Sequence, residues 1–223
     1  MTAATHTLTL YHYWRSSCSW RVRWALACKN VTYQSIAVNI LSGEHQQADY
    51  LARNPAGFLP ALLIDGHCYG ESLALIDWLE ETYPNPPLYP KQAEARLRVR
   101  QLALTIATGT QPLQNPSLIQ HFVPLESERQ GHLQHFIKRG LGIYETLLER
   151  GQPGLYSEGD QISVADLCLI PQVYNALRFA VNLEAMPLLR AIYQRCLQLP
   201  ECLAAAPERH QPASASAPKP HAG

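Results

Sequence analysis

The chain has 223 residues, room for one large domain or two small ones. Apolar residues make up 47% and charged residues 16%, which excludes wholesale disorder, and eighteen basic residues balance eighteen acidic ones, so no overall field draws the chain to nucleic acid or an anionic membrane. No stretch approaches the roughly 18 consecutive apolar residues that span a bilayer, and the opening MTAATHTLTL lacks the basic start and apolar core of a signal peptide. The six cysteines (Cys18, Cys28, Cys68, Cys168, Cys196, Cys202) form no CxxC pair, a pattern that predicts a reduced cytoplasmic protein with no zinc site.

In chain order, Leu8–Tyr13 alternates apolar and polar residues and predicts a first strand. Trp20–Lys29 predicts a helix with Val22, Ala25, Leu26 and Cys28 facing a core and Arg21 and Lys29 pointing outward. Tyr33–Val38 is a second strand, and the intervening helix makes a parallel crossover natural. Gln46–Asn54 is a weaker helix that ends before Pro55. Ala61–Asp65 and His67–Gly70 are third and fourth strands joined by an Asp65-Gly66 hairpin turn. Ser72–Tyr83 is an amphipathic helix, with Leu75, Ile76, Leu79 and Tyr83 on one face. The order β-α-β-α-β-β-α predicts a small α/β layer over residues 6–85.

Asn85-Pro86-Pro87-Leu88-Tyr89-Pro90 reads as a stiff connector. Beyond it, residues 91–205 predict an all-helical domain. Ala95, Val99, Leu102 and Ile106 recur at helical spacing, as do Leu133, Ile137, Leu141, Tyr144 and Leu148, while Val164–Leu177 and Leu188–Leu199 complete at least four helices. Ser163 and Asp166 have the spacing of a capping box, with Asp in place of Glu. Residues 206–223 have no large aliphatic or aromatic side chain and predict a disordered tail.

Three short segments carry chemistry. Arg15-Ser16-Ser17-Cys18 lies between a strand and a helix, where hydroxyls and a thiol meet helical N–H groups without partners. The partial positive charge there favours a thiolate, from Cys18 or a ligand, and equally fits an ordinary serine cap. The helix end supplies about 0.3–1 kcal/mol, less than one pKa unit of about 1.4 kcal/mol, so activating a thiol also needs hydroxyl hydrogen bonds. Leu59-Pro60 precedes a strand; a cis bond there would let the Leu59 backbone pair with an extended peptide, and composition alone does not choose between cis and trans. Ser72 is either a plain cap or, with the N–H groups behind it, a carboxylate site.

These segments resemble the zeta class of the glutathione transferases, the class that includes maleylacetoacetate isomerase: a thioredoxin-like domain followed by an all-helical one. The resemblance rests on SSCSWRVRWAL from Ser16 to Leu26, Asn54-Pro55, Leu59-Pro60, Glu71-Ser72, Gln111-Pro112-Leu113-Gln114-Asn115, Ala165–Val173 and Asn175–Phe179. It covers nearly the whole chain except the termini.

The resemblance implies glutathione as cofactor and a homodimer. It implies that Ser16, Ser17 and Cys18 surround the glutathione sulfur as catalytic residues, and that the signature continues the glutathione site through Ser19, Trp20 and Arg21. A cis Leu59–Pro60 would pair Leu59 with the cysteinyl backbone, Glu71 and Ser72 would hold the γ-glutamyl end, and Gln47 the glycyl end. Gln111, Asn115, Pro116 and Ser117 would line the site from the helical domain; Pro116 departs from the aliphatic residue usual there. Arg15 and Arg178 would grip the carboxylates of a diacid, since guanidinium groups bind carboxylates bidentately. Arg96, Arg98 and Arg100 read as surface charge, and no metal is implied. The implied reaction is isomerisation of maleylacetoacetate to fumarylacetoacetate, in tyrosine and phenylalanine breakdown, by reversible thiolate addition to the double bond. Maleylpyruvate isomerisation, general transferase or α-halo acid dehalogenase activity, and a non-catalytic binding role are the alternatives.

Overall fold

The computed structural model describes residues 6–212 apart from residue 152. Four strands make one mixed sheet, β1 (Leu8–His12), β2 (Gln34–Ala37), β3 (Ala61–Ile64) and β4 (His67–Tyr69), in the order β2-β1-β3-β4. β1 runs parallel to β2, with Thr9 opposite Gln34, and antiparallel to β3, with Leu10 opposite Leu62. β4 returns antiparallel to β3, and the expected hairpin forms: Asp65 at φ 47° and Gly66 at φ 90° both take the left-handed conformation that a two-residue turn between twisted strands requires.

The helices of this half are α1 (Ser17–Cys28), the single-turn α2 (Ala48–Leu51) after a 3-10 turn at Glu44–Gln46, and α3 (Ser72–Thr82). The second half is helical throughout: α4 (Ala93–Ala107), α5 (Pro116–Phe122), α6 (Glu126–Arg150), α7 (Val164–Arg178), α8 (Pro187–Cys196) and α9 (Pro200–Ala205), with a 3-10 turn at Gln111–Gln114. The spacings read on α4 and α6 are their buried faces. α5 and α9 are short helices, each opened by a proline in its first turn, and both lie outside the four anticipated. No helix among the described residues is long and apolar enough to cross a membrane.

α1 departs from expectation. It begins three residues earlier than read, and Arg21 and Lys29 are buried rather than outward. The reason is topological: α1 packs against α3, α7 and α9, so little of its circumference meets water. Its charges need internal partners. Lys29 pairs with Glu80 and donates to the Pro86 carbonyl, while Arg23 donates to the Tyr13, Trp14 and Ala205 carbonyls and to His12.

The chain also stays packed beyond 205. Ala206 and Pro207 are buried, Glu208 accepts a 2.9 Å hydrogen bond from Tyr174, and the His210 ring meets His12 edge-on at 5.4 Å. Small residues suffice there because backbone and polar contacts, rather than aliphatic bulk, hold the segment. The rest of the expected tail, residues 213–223, lies outside the described residues.

Candidate active site

Ser16 closes the end of β1 and caps α1. Its Oγ accepts from the Ser19 amide at 3.2 Å, but among the described residues its own hydroxyl proton has no acceptor. Ser17 differs: its hydroxyl donates, at a long 3.5 Å, to the Pro171 carbonyl on α7. Cys18 donates to Gln111 Oε1 at 3.2 Å and accepts from Arg21 Nη1 at 3.7 Å. All three side chains are half-buried, and they sit where α1 meets the helical domain.

Three other residues of the signature behave differently. Ser19 is fully buried, and its Oγ accepts from the Tyr13 amide. Trp20 is 2% exposed and packs edge-on against Tyr174 in the core. Neither side chain faces an open site: one helical turn carries Ser16–Cys18 at its half-buried start and turns the next two residues inward. Arg21 is 1% exposed, yet its Nη1 reaches both Cys18 and, at 3.4 Å, Ser72 Oγ.

The second wall comes from β3 and α3. The Leu59–Pro60 bond is cis, Leu59 is half-buried and Pro60 is buried. The Phe58 carbonyl beside them is anchored by the Tyr50 hydroxyl at 2.7 Å and the Asn54 amide at 2.9 Å. Glu71 is exposed and held at φ 62°, a conformation that a side chain with a Cβ adopts at a cost of about 1–3 kcal/mol and that clusters at ligand sites. Ser72 starts α3; its Oγ accepts from Arg21, and its proton has no acceptor among the described residues. Of the two adjacent glutamines, Gln46 donates to the Gly57 carbonyl at 3.3 Å, whereas the Gln47 side chain is exposed and makes no such bond.

The third wall is the 3-10 turn Gln111–Gln114. Gln111 holds Cys18 with its oxygen and donates to Asn115 Oδ1 at 3.0 Å. Gln114, in the same motif, turns away and exchanges bonds with Gln172 and Asn175 on α7. This network was not anticipated from the motif; spacing gives no sign of which amide faces which way. The turn is seated by Thr110 against Gly140 of α6, an approach so close that any Cβ would collide with the threonine. Pro116 and Ser117 are exposed in the first turn of α5.

Arg178 ends α7 and is exposed, with its guanidinium stacked over Phe179. Arg15 lies over Trp14. Partial desolvation and the Arg15 guanidinium hold Arg178 below the ordinary arginine value. Among the described residues no carboxylate bonds to either guanidinium. Arg96, Arg98 and Arg100, read as surface charge, are exposed: Arg98 grips Glu158, Arg96 donates to the Pro90 carbonyl, and Arg100 covers Tyr89. Burial pushes the Cys168 thiol up to about 11 and the Cys28 thiol up to about 12, which leaves both inert. No group of three His, Cys, Asp or Glu placed to hold a metal occurs among the described residues.

Residues 10–87 match the family described as glutathione S-transferase, N-terminal domain. The maleylacetoacetate isomerase of Dictyostelium discoideum is 42% identical over 89% of this chain and 93% of its own length. Crystals of the maleylacetoacetate isomerase from Anaeromyxobacter dehalogenans 2CP-1 superpose with a TM-score of 0.84, one at 42% and one at 41% identity, each covering 95% of this chain and 99% of that one. One has GSH bound in the active site, the other dicarboxyethyl glutathione and citrate. A maleyl pyruvate isomerase described as a bacterial zeta-class glutathione S-transferase superposes at 0.88 with 37% identity, over 93% of this chain and all of that one.

Proposed function

The chain belongs to the glutathione transferase family, in the zeta class with the maleylacetoacetate isomerases, and from that premise we propose that it is a glutathione-dependent isomerase converting maleylacetoacetate to fumarylacetoacetate. One observation carries the reading: Arg15 and Arg178, two guanidinium groups with no carboxylate partner among the described residues, accompany a helix start whose Ser16 hydroxyl has a proton to give. A dianionic substrate and an anionic sulfur are what such a pair and such a corner accommodate.

The donor set fits glutathione. Ser72 and the Glu71 segment are disposed for the γ-glutamyl end, Leu59 for the cysteinyl backbone, Gln47 for the glycyl end, and Gln111 and Asn115 for the domain boundary. When bound, glutathione supplies a thiolate that adds reversibly to the conjugated alkene, so that the former double bond can rotate before the thiolate leaves.

The chain's own residues do the rest. Ser16 donates to the sulfur while its lone pair caps α1. Ser17 has its proton committed to Pro171, which makes Ser16 the stronger candidate for sulfur contact. Cys18 lines the wall beside the sulfur and donates to Gln111. Arg15 and Arg178 orient the two carboxylates, so that binding energy is spent on alignment rather than on the bond being broken.

The protein acts as a cytoplasmic homodimer. Six free cysteines, none in a disulfide, suit a reducing compartment. The exposed apolar residues Leu97 and Leu104, two turns apart on α4, and Phe58 and Tyr69 on the sheet domain supply surface for self-association. The decisive experiment follows maleylacetoacetate absorbance with and without glutathione and repeats it with maleylpyruvate. Faster glutathione-dependent turnover of maleylacetoacetate is expected; preference for maleylpyruvate reassigns the substrate, and turnover of neither defeats the reading.

A further inference from the structure

The first turns of α1 carry two arginines two residues apart, both 1% exposed. Arg23 has an acceptor for each of its three donor nitrogens: the Ala205, Tyr13 and Trp14 carbonyls and His12 Nδ1. Lys29, the third buried cation of α1, has Glu80 and the Pro86 carbonyl. Arg21 is different. Only its Nη1 finds partners, and both are weak neutral acceptors, Ser72 Oγ at 3.4 Å and Cys18 Sγ at 3.7 Å. Its Nε and Nη2 are buried with none. The groups facing it are Cys18 on α1, Ser72 on α3 and Cys168 on α7, and no carboxylate among the described residues bonds to it. A buried cation without a counter-charge is among the most expensive things a fold can contain. An arginine does not lose its proton inside a protein, so the guanidinium stays charged.

The two weak partners show which way the charge acts. By accepting from Arg21, Ser72 Oγ and Cys18 Sγ turn their lone pairs inward. Cys18 then directs its proton to Gln111, and Ser72 keeps its proton for an incoming group. The proposed function gives Ser72 the γ-glutamyl end of glutathione, and Cys18 stands next to Ser16 and Ser17 in the corner that takes the sulfur.

We propose that Arg21 is the positioning residue of the glutathione site, a cation left uncompensated inside the protein so that its counter-charge is the bound thiolate. It acts through Cys18 and Ser72 and from behind them, and it touches neither glutathione nor substrate. Removing the positive charge makes the sulfur harder to ionise while leaving a cavity for the tripeptide.

This inference rests on the glutathione reading, and its test separates the two. The ultraviolet thiolate band of bound glutathione is titrated in the wild type, Arg21→Lys and Arg21→Met. The expected result is a bound thiol well below the free-thiol value of about 8.5 in the wild type, raised by roughly 1–2 pKa units in Arg21→Met and largely restored in Arg21→Lys. Folded variants that titrate like the wild type overturn the proposal and leave the glutathione reading intact, whereas absence of the band from the wild type itself defeats that reading. A second measurement needs no variant: the Arg21 Nε–H resonance of the wild-type chain, assigned by through-bond correlation, is followed on adding glutathione and then S-methylglutathione. A shift with glutathione that S-methylglutathione does not reproduce is expected; identical responses to both contradict the assignment.

Discussion

Two helix starts in this molecule use similar residues to opposite ends. At the start of α7 the polar groups close on one another. The Asp166 carboxylate accepts from the Ser163 amide at 2.9 Å, the Ser163 hydroxyl at 3.0 Å and the Ser157 amide at 2.9 Å, and all three residues are buried. At the start of α1 the serines and the thiol stay half-buried, with one hydroxyl proton uncommitted and a buried guanidinium short of partners. A closed cap stabilises the fold; an open one is incomplete until a ligand arrives. Residue type does not separate them. The separation lies in whether each donor already has an acceptor.

That contrast is open to direct attack at both ends. The largest effect belongs to the closed end. Asp166→Ala strands two buried N–H groups at about 1–3 kcal/mol each, so denaturant unfolding should show a loss of about 3 kcal/mol or more. A loss below about 1 kcal/mol would mean that this cap is not closed in the sense described. At the open end, Ser16→Ala should cost only about 1 kcal/mol of stability, the worth of a helix cap, while the isomerisation rate falls roughly 100–1,000-fold. Ser17→Ala serves as its control and should lose less than tenfold; the reverse order would exchange the roles of the two serines.

A smaller effect is expected where the open end meets the substrate. Arg178→Ala removes one charge-assisted grip, which should raise the KM of the diacid roughly 10–100-fold with little change for glutathione. Equal effects on both would take Arg178 out of substrate binding. The closed interior is also tested through pH dependence. His12, bonded to Ser35 and Arg23 in the closed interior, is lowered to about 3 by burial, by Arg23 and by His210. The unfolded chain takes up a proton there near pH 6.5 and the native one does not, so stability falls as pH drops from about 6.5 towards 3. His12→Gln should flatten that acid limb in thermal melts; an unchanged limb would place the charge change elsewhere.

Legibility followed geometry. The sheet and its hairpin were readable because alternation and Asp65-Gly66 encode local backbone shape, and α4 and α6 because each has a single wet face. α1 was misread for the converse reason. Surrounded by α3, α7 and α9, it buries its arginines and Lys29, and no periodicity in one segment reports on neighbours far along the chain. The packed stretch around Glu208 and His210 was missed because hydrogen bonds and ring contacts leave no aliphatic trace in the sequence. In the candidate site, Ser16–Cys18, Glu71 and Ser72 stood out as motifs. The inward turn of Ser19 and Trp20 and the split between Gln111 and Gln114 did not, since both depend on side-chain direction within one helical turn.

The most direct test of the account is a crystal structure of this protein with glutathione. The sulfur should lie within about 3.5 Å of Ser16 Oγ, at the start of α1 and on the side that faces Arg15 and Arg178. A sulfur bound at any other place, out of reach of the Ser16–Cys18 corner, would contradict it.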